Sequence, residues 1–256
     1  NEFGRVKKFG QVVYNDVSYP LVSIHYGNPK APTLFINGGI HGLERIGAQL
    51  TLSLLQSFHE RLSWDSVLKN MLNDLQVVFL PLANPVGYFE TTRSNGNGVD
   101  LMRNANIAAT ENVPFLLGGH KKSNKIPWYR GNEHQTETDF VISVVQDILS
   151  SSNTLVSLDI HSGFGFRDQL WFPFANSKKP FTQVSELYLL FQLFRKSFPH
   201  HVYKVEPQSK NYLTHGDIWD YCFYNIKKEH QTYLPITLEM GSWIWVKKNP
   251  LQIFSK

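Results

Sequence analysis

The chain has 256 residues, enough for one large α/β domain, and 42% of them are hydrophobic while 18% are charged. These proportions exclude an intrinsically disordered chain. The net charge is +4 and no run of Lys and Arg exceeds two residues, which argues against a nucleic-acid partner. No apolar run approaches the ~20 residues of a membrane span, so no membrane partner is expected.

The number of cysteines and the start of the chain give information on the cellular location of the protein. The single cysteine, Cys222, excludes an intramolecular disulfide, and its apolar neighbours favour a buried small hydrophobic residue over a nucleophile. No signal peptide is visible, although the chain starts at Asn1 rather than Met, which is compatible with N-terminal processing. Together these features predict a cytoplasmic location.

Short apolar runs alternate with helical periodicities, which predicts an α/β architecture without repeats or linkers. In chain order, strands are predicted over Gln11–Tyr14, Leu21–Tyr26, Thr33–Asn37, Gln76–Leu82, Leu155–Ile160, Gln169–Phe174 and Pro235–Met240. Helices are predicted over Glu44–Leu62, Thr138–Ser150, Thr182–Phe198 and Gly216–Tyr224. The first helix carries an apolar residue at every fourth position, Ile46, Leu50, Leu54, Phe58 and Leu62. Residues 84–132 show little periodicity, which is typical of a functional loop region.

A candidate metal site begins where the strand Thr33–Asn37 ends. Two glycines follow the strand, and then come His41 and Glu44, three residues apart at the start of a predicted helix. Residues at this spacing lie on one side of a helical turn, so both side chains can reach one ion. The pair alone is weak evidence, because His-x-x-Glu also occurs by chance.

A third candidate ligand follows the strand Leu155–Ile160. His161 comes directly after this apolar run and before a turn of small residues, at the edge where open α/β sheets build their sites. None of the other eight histidines follows an apolar strand in this way. Two His and one Glu leave a fourth position for water, as catalytic zinc sites do.

Glu239 lies inside the apolar segment Leu234–Gly241. A carboxylate in such a strand is costly to bury unless the protein uses it, and burial gives it the raised pKa that suits a general base. A structural Glu paired with Arg at the edge of a strand is the alternative interpretation.

These residues resemble the M14 family, the zinc carboxypeptidases, over most of the chain. Several blocks occur in the family's order: His41-Gly42-Leu43-Glu44, Asn84-Pro85-Val86-Gly87-Tyr88, Arg93-Ser94-Asn95, Gly98-Val99-Asp100-Leu101-Met102-Arg103-Asn104, Thr136-Glu137-Thr138, His161-Ser162-Gly163 and Leu238-Glu239. The resemblance implies a single catalytic domain over residues 1–256. It implies a three-layer sandwich, with a mixed, mostly parallel eight-stranded sheet flanked by helices.

The resemblance also implies an activity, the hydrolysis of a C-terminal peptide bond or a related amide. One Zn²⁺ per chain is expected on His41, Glu44 and His161. Glu239 is implied as the base that assists attack by a zinc-bound water, and Arg93 as the group that polarises the scissile carbonyl.

Four further residues receive roles from the resemblance. Arg103 is implied to hold the free carboxylate of a peptide or small amide substrate, with Asn104 and Tyr212 also at the substrate. Asp100 is implied to orient His41 from behind. Without the resemblance, Arg93 and Arg103 would be interpreted as surface charges and Tyr212 as a core aromatic.

The residues at two positions do not allow the substrate to be identified from the sequence. The family usually has Asn directly before the carboxylate-binding arginine, whereas this chain has Met102, which cannot donate a hydrogen bond. At the base of the side-chain pocket, Asp217 would favour a basic terminal residue and Ile218 an apolar one.

Two other functions compete with the carboxypeptidase interpretation. Enzymes of the succinylglutamate desuccinylase and aspartoacylase group, which remove acyl groups from N-acyl amino acids, share the ligands and the arginines. A non-catalytic binding domain on the same fold would lack a ligand or the base, and this chain retains all of them.

Overall fold

In the computed structural model, which describes residues 4–241, the chain forms an eight-stranded mixed sheet with helices on both faces. The strands are β1 (Gly4–Tyr14), β2 (Val17–Gly27), β3 (Thr33–Gly38), β4 (Gln76–Leu80), β5 (Thr154–Ser162), β6 (Gln169–Phe172), β7 (Lys204–Pro207) and β8 (Thr232–Met240). The helices are α1 (Arg45–Trp64), α2 (Ser66–Met71), α3 (Pro85–Glu90), α4 (Thr136–Ser151), α5 (Val184–Ser197) and α6 (Ile218–Asn225). Short 3₁₀ turns cover Leu101–Arg103 and Gln208–Lys210.

The strands follow the order β1-β2-β4-β3-β5-β8-β6-β7. The central strands β4, β3, β5 and β8 run parallel to one another, and β6 and β7 are also a parallel pair. The pairs β1–β2, β2–β4 and β6–β8 are antiparallel. The predicted mixed sheet flanked by helices is confirmed. Because β3, β5 and β8 are adjacent and parallel, the segments that follow them meet at one edge of the sheet.

Two apolar cores cover the two faces of the sheet. The alternation of side chains along β4 sends Val77 and Phe79 to one core and Val78 and Leu80 to the other. The first core is closed by α1 and α2, and the second, larger core by α4, α5 and α6. Cys222 is fully buried in the larger core, as its sequence context predicted.

All the predicted strands and helices are present, with ends displaced by up to seven residues, the largest difference being at the start of β1. The sequence analysis missed β7, α2 and α3. Strand β7 has only four residues, two of them charged, so its pattern is too short to detect. Within residues 4–241, no helix combines the length and the apolarity that crossing a membrane requires.

The series of apolar residues along α1 is only partly buried. Ile46 and Leu54 belong to the every-fourth-residue series, yet they are 48% and 40% exposed. The helix instead turns Gly47 and Ala48 towards the sheet. A Cβ atom at position 47 would collide with the carbonyl oxygen of Ile160, so the glycine lets α1 approach β5 closely. This approach brings the start of α1 beside the end of β5.

A buried histidine in β2 predicts a pH-dependent component of stability. His25 is 1% exposed, and its Nε2 lies 2.9 Å from the hydroxyl of Ser23. Burial, assisted by the positive charges of Lys7 and Arg5 and opposed by Asp147, lowers the pKa of His25 from 6.5 to about 4.

As the pH falls from 6.5 to 4, the unfolded chain binds a proton at His25 that the folded chain excludes. The free energy of unfolding therefore decreases in this window, by up to about 1.4 kcal/mol per pH unit from this group. In urea titrations, the free energy of unfolding of His25→Phe should decrease less between pH 6.5 and pH 4 than that of the wild type. The control variant His200→Phe, at an exposed position, should show the same decrease as the wild type. Parallel curves for the wild type and His25→Phe would contradict the assignment.

Candidate metal centre

His41, Glu44 and His161 meet at the carboxyl ends of β3 and β5. His41 and Glu44 occupy the turn between β3 and α1, and His161 is the second-last residue of β5. All three side chains are buried, and their ligand atoms lie within 4.8 Å of one another. In the part of the chain from 4 to 241, no other His, Cys, Asp and Glu side chains form such a group of three.

The spacing of these donors fits a zinc ion. Nδ1 of His41 lies 2.9 Å from Oε1 of Glu44, Nδ1 of His161 lies 3.1 Å from Oε2 of Glu44, and the two Nδ1 atoms are 3.2 Å apart. Ligands at 2.0–2.1 Å around a tetrahedral zinc ion are separated by about 3.3 Å, so small shifts suffice. Two imidazoles and a carboxylate can thus hold the ion and leave a fourth position for substrate or water.

A buried carboxylate lies behind each histidine. Nε2 of His41 donates to Oδ1 of Asp100 at 3.2 Å, as predicted, and Nε2 of His161 donates to Oδ2 of Asp159 at 2.6 Å. These contacts fix both imidazoles so that Nδ1 faces the metal position.

Sequence analysis missed Asp159. It precedes His161 by two residues in a strand, so both side chains lie on the same face of the sheet, and this spacing was the available signal. Asp159 also accepts hydrogen bonds from Nδ2 of Asn37 at 2.6 Å and from Nε1 of Trp219 at 2.9 Å. All three donors hold the carboxylate in place.

We expect Asp159→Asn to weaken zinc binding about 10- to 100-fold, because an amide nitrogen would face one of the three donors and release His161. Competition with a chromogenic chelator measures the affinity. Asp147→Asn is the matched control, since Asp147 is exposed and pairs only with Lys7. Equal zinc affinity in the two variants would contradict an orienting role for Asp159.

Glu239 lies beside the metal ligands, because it is the register partner of His161 across the β5–β8 pairing. Its carboxylate is buried, and Oε2 has no hydrogen-bond partner among the described residues. Burial raises the pKa of Glu239 to about 8, the negative charge of Glu44 adds to this effect, and His161 opposes it. The structural alternative of an Arg-paired edge residue does not fit this environment.

Arg93 connects the metal ligands to Asp100. Its Nε donates to Oδ2 of Asp100 at 2.8 Å, and a terminal nitrogen lies 3.4 Å from Oε1 of Glu44. Although burial alone would lower it, these two carboxylates raise the pKa of Arg93. A permanent positive charge therefore lies next to the metal position.

Arg103 is 2% exposed and forms no ion pair with a described residue. Its Nε donates to the carbonyl of Leu117 and its Nη1 to the carbonyl of Met102, both at 3.1 Å. The other terminal nitrogen, Nη2, is buried and has no hydrogen-bond partner within residues 4–241. The side chain of Met102 packs into the larger core. The guanidinium is thus held rigidly, and its Nη2 group is free to donate.

Tyr212 lies within electrostatic range of Arg93, Arg103 and Glu239. Burial raises the pKa of its hydroxyl, and the two arginines partly offset that effect. Its ring packs near Phe164, at 6.0 Å between ring centroids. The structure thereby brings Tyr212 to the same side of the sheet as the metal ligands.

The two candidates for the pocket base have different environments. Ile218 is fully buried in the larger core. Asp217 caps α6 by accepting a hydrogen bond from the backbone of Asp220, and it also lines a cavity of about 10 Å³ with Gln208 and Thr237. Burial raises the pKa of Asp217 to about 6.

Asn104, which was predicted to lie at the substrate, has a side chain that binds the surrounding loops. Its Nδ2 donates to the carbonyls of Arg130 and Glu133, and its Oδ1 accepts from the backbone of Gln135 and the hydroxyl of Thr138. An amide has two donors and two acceptor positions, so the scaffold uses all of them. Asn104 therefore fixes loops around Arg103 and has no polar group left for a substrate.

Comparisons with known proteins agree with this geometry. Carboxypeptidase A4 from Mus musculus is 25% identical over 189 residues, which cover 70% of this chain and 44% of that protein. Carboxypeptidase A from Helicoverpa armigera superposes with a TM-score of 0.70 at 18% identity, over 93% of this chain and 59% of that chain. Murein-tripeptide amidase MpaA from Escherichia coli O157 superposes with a TM-score of 0.52 at 17% identity, over 95% of this chain and 86% of that chain.

The chain therefore spans less than half of the mouse protein and about three fifths of the Helicoverpa structure. These structural similarities establish a shared fold. A family model described as zinc carboxypeptidase matches residues 5–242, almost the whole chain. On this match, together with the fold and the group formed by His41, Glu44 and His161, the chain belongs to the M14 zinc carboxypeptidase family.

Proposed function

We propose that this chain is a zinc-dependent hydrolase that cleaves the amide bond next to a free carboxylate, as at the C-terminal end of a peptide. The observation that carries the proposal is the position of Glu239, a buried carboxylate without a hydrogen-bond partner beside a group of three metal donors. A site that keeps such a costly group is built to move a proton.

The chemistry follows from the residues around that carboxylate. A zinc ion held by His41, Glu44 and His161 would supply Lewis acidity and lower the pKa of water to about 7. Glu239 accepts the proton of the attacking water and later passes it to the leaving amine. Arg93 stabilises the negative charge that develops on the carbonyl oxygen.

Arg103 supports the requirement for a free carboxylate. Its buried charge has no acidic partner among the described residues, and its unpartnered Nη2 can donate to an anionic substrate group. Two of its nitrogens are already bound to carbonyl groups, so the side chain is positioned before the substrate arrives. With Met102 in the core, no Asn assists it, and the carboxylate is held by fewer donors than in the usual family pattern.

A second candidate function is the deacylation of small N-acyl amino acids. It is favoured by the position of Met102 in the larger core, because fewer donors then hold the terminal carboxylate of a peptide than the usual family pattern provides.

A substrate panel separates the two functions. The zinc-loaded chain is incubated with short peptides, with the same peptides amidated at the C terminus, and with N-acyl amino acids. We expect the terminal residue to be released much faster from the free peptides than from the amidated ones. Turnover of N-acyl amino acids alone would reject the peptidase function and support the deacylase.

We expect Arg103→Gln to lower kcat/KM for free-acid substrates by about 10- to 150-fold, the effect of one lost charge-assisted hydrogen bond. The residual rate on amidated peptides should stay unchanged, so the ratio of the two rates reports the loss independently of any change in protein stability. Arg61→Gln is the control, because Arg61 is an exposed partner of Asp65. An unchanged ratio in Arg103→Gln would remove Arg103 from the substrate site.

A further inference from the structure

A second cavity lies apart from the metal ligands. Its volume is about 430 Å³, and its walls come from residues 104–106, residues 130–134, Lys121 and the α6 residue Tyr221. None of His41, Glu44 and His161 lines it. Cavities of this size accommodate small organic ligands.

The charges around this cavity are unbalanced. Arg130 and Lys121 line it, against one acidic residue, Glu133. Neither basic side chain has a carboxylate within 4.0 Å among the residues that the structure describes. Arg130 is partly buried and donates only to backbone carbonyls, those of Arg103 at 3.2 Å and Ile107 at 3.4 Å. A partly desolvated guanidinium without an anion is unfavourable unless a ligand supplies one.

The neighbouring Arg103 increases this imbalance. Gly119 lies between the two arginine side chains, and a Cβ atom there would be 3.1 Å from Cδ of both Arg103 and Arg130. With φ at +94°, this position strongly favours glycine, so the backbone keeps the two side chains close together. The positive charge of Arg103, together with burial, lowers the pKa of Arg130.

The remaining wall is neutral and partly aromatic. His134 donates from Nδ1 to Asp139 and accepts at Nε2 from the backbone of Asn106, so both ring nitrogens are occupied. Its ring contacts Tyr221 edge to face, at 5.7 Å between centroids. Such a wall contacts the apolar part of a ligand, while Arg130 and Lys121 meet its charged part.

We propose that this cavity is a binding site for a small molecule carrying an oxyanion, a carboxylate or a phosphate, held by Arg130 and Lys121. The fork of a guanidinium matches the paired oxygens of either group, and Lys121 adds a second positive charge. The site lies outside the group of metal ligands and does not depend on the hydrolytic activity.

Calorimetric titration of the full chain with inorganic phosphate and with citrate tests the proposal, against sodium chloride at matched ionic strength. We expect saturable binding of one oxyanion per chain, and the stronger of the two probes identifies whether phosphate or carboxylate is preferred. Absence of saturable binding, or an equal response to chloride, would overturn the proposal.

Two adjacent lysines provide matched variants. Lys121→Gln should weaken oxyanion binding about 10-fold, because it removes one charged contact. Lys122→Gln removes the same charge from the next residue, which does not line the cavity and instead lies over the ring of Phe115 at 4.3 Å, so binding should be unchanged. Arg130→Gln should abolish binding. If the two lysine variants bind the oxyanion equally well, the cavity is not the binding site.

Discussion

Glu239→Gln is expected to reduce kcat by about 10²- to 10⁴-fold while leaving zinc binding intact, because a carboxamide cannot accept the proton of an attacking water. The substitution preserves the shape of a fully enclosed side chain. It also removes a buried carboxyl group with an unpartnered oxygen, so the melting temperature should stay the same or rise. Steady-state kinetics, zinc content and thermal unfolding together measure these effects.

Glu137→Gln is the matched control for this experiment. Glu137 is likewise a buried carboxylate with an unpartnered oxygen, and burial raises its pKa, but it lies in α4 and bonds to Asn95. Its replacement should leave kcat unchanged. Hydrolysis that survives Glu239→Gln at the wild-type rate would disprove the assignment of the base, and would make another residue the proton acceptor.

His161→Ala is expected to abolish stoichiometric zinc binding and, with it, hydrolysis. The loss of a direct ligand should exceed the ~10- to 100-fold effect of losing a residue that only orients a ligand. Metal analysis after dialysis should find one zinc ion per wild-type chain and almost none in the variant. Chelation of the wild type should abolish hydrolysis, and added zinc should restore it.

His59→Ala serves as the control for His161→Ala. His59 lies on α1 and contacts the hydroxyl of Tyr26 at 3.1 Å, away from the metal ligands. This variant should retain one zinc ion per chain. A His161→Ala variant that still binds one zinc ion would show that the metal site lies elsewhere or uses another third ligand.

Strands and helices with regular apolar patterns could be predicted from the sequence, because each pattern lies within one short segment of the chain. Strand β4 is a continuous apolar run buried on both faces, and α4 repeats apolar residues with helical periodicity, so each could be predicted in isolation. The face of α1 that packs against the sheet could not be predicted in this way. Its close contact with β5 depends on Gly47, and a glycine carries no apolar signal.

The metal donors were predicted because chemistry limits the choices. His41, Glu44 and His161 follow strands of the predicted sheet, and ligand sets for zinc are few. The carboxylate behind His161 was not predicted, because the resemblance assigned an orienting residue to His41 alone. The contacts of Asn104 could not be predicted, because sequence order places this residue beside Arg103 without indicating which groups its amide binds.

The sequence by itself therefore determined the fold class, the family and the residues that form the metal group, since periodicity, strand order and ligand chemistry are encoded locally and in order along the chain. Only the tertiary structure decided which side chains are satisfied and which are free. It left Nη2 of Arg103 and Oε2 of Glu239 without partners among the described residues, bound both polar atoms of the Asn104 side chain, and formed a cavity beside Arg130. These properties depend on contacts between residues distant in sequence, and no local pattern specifies them.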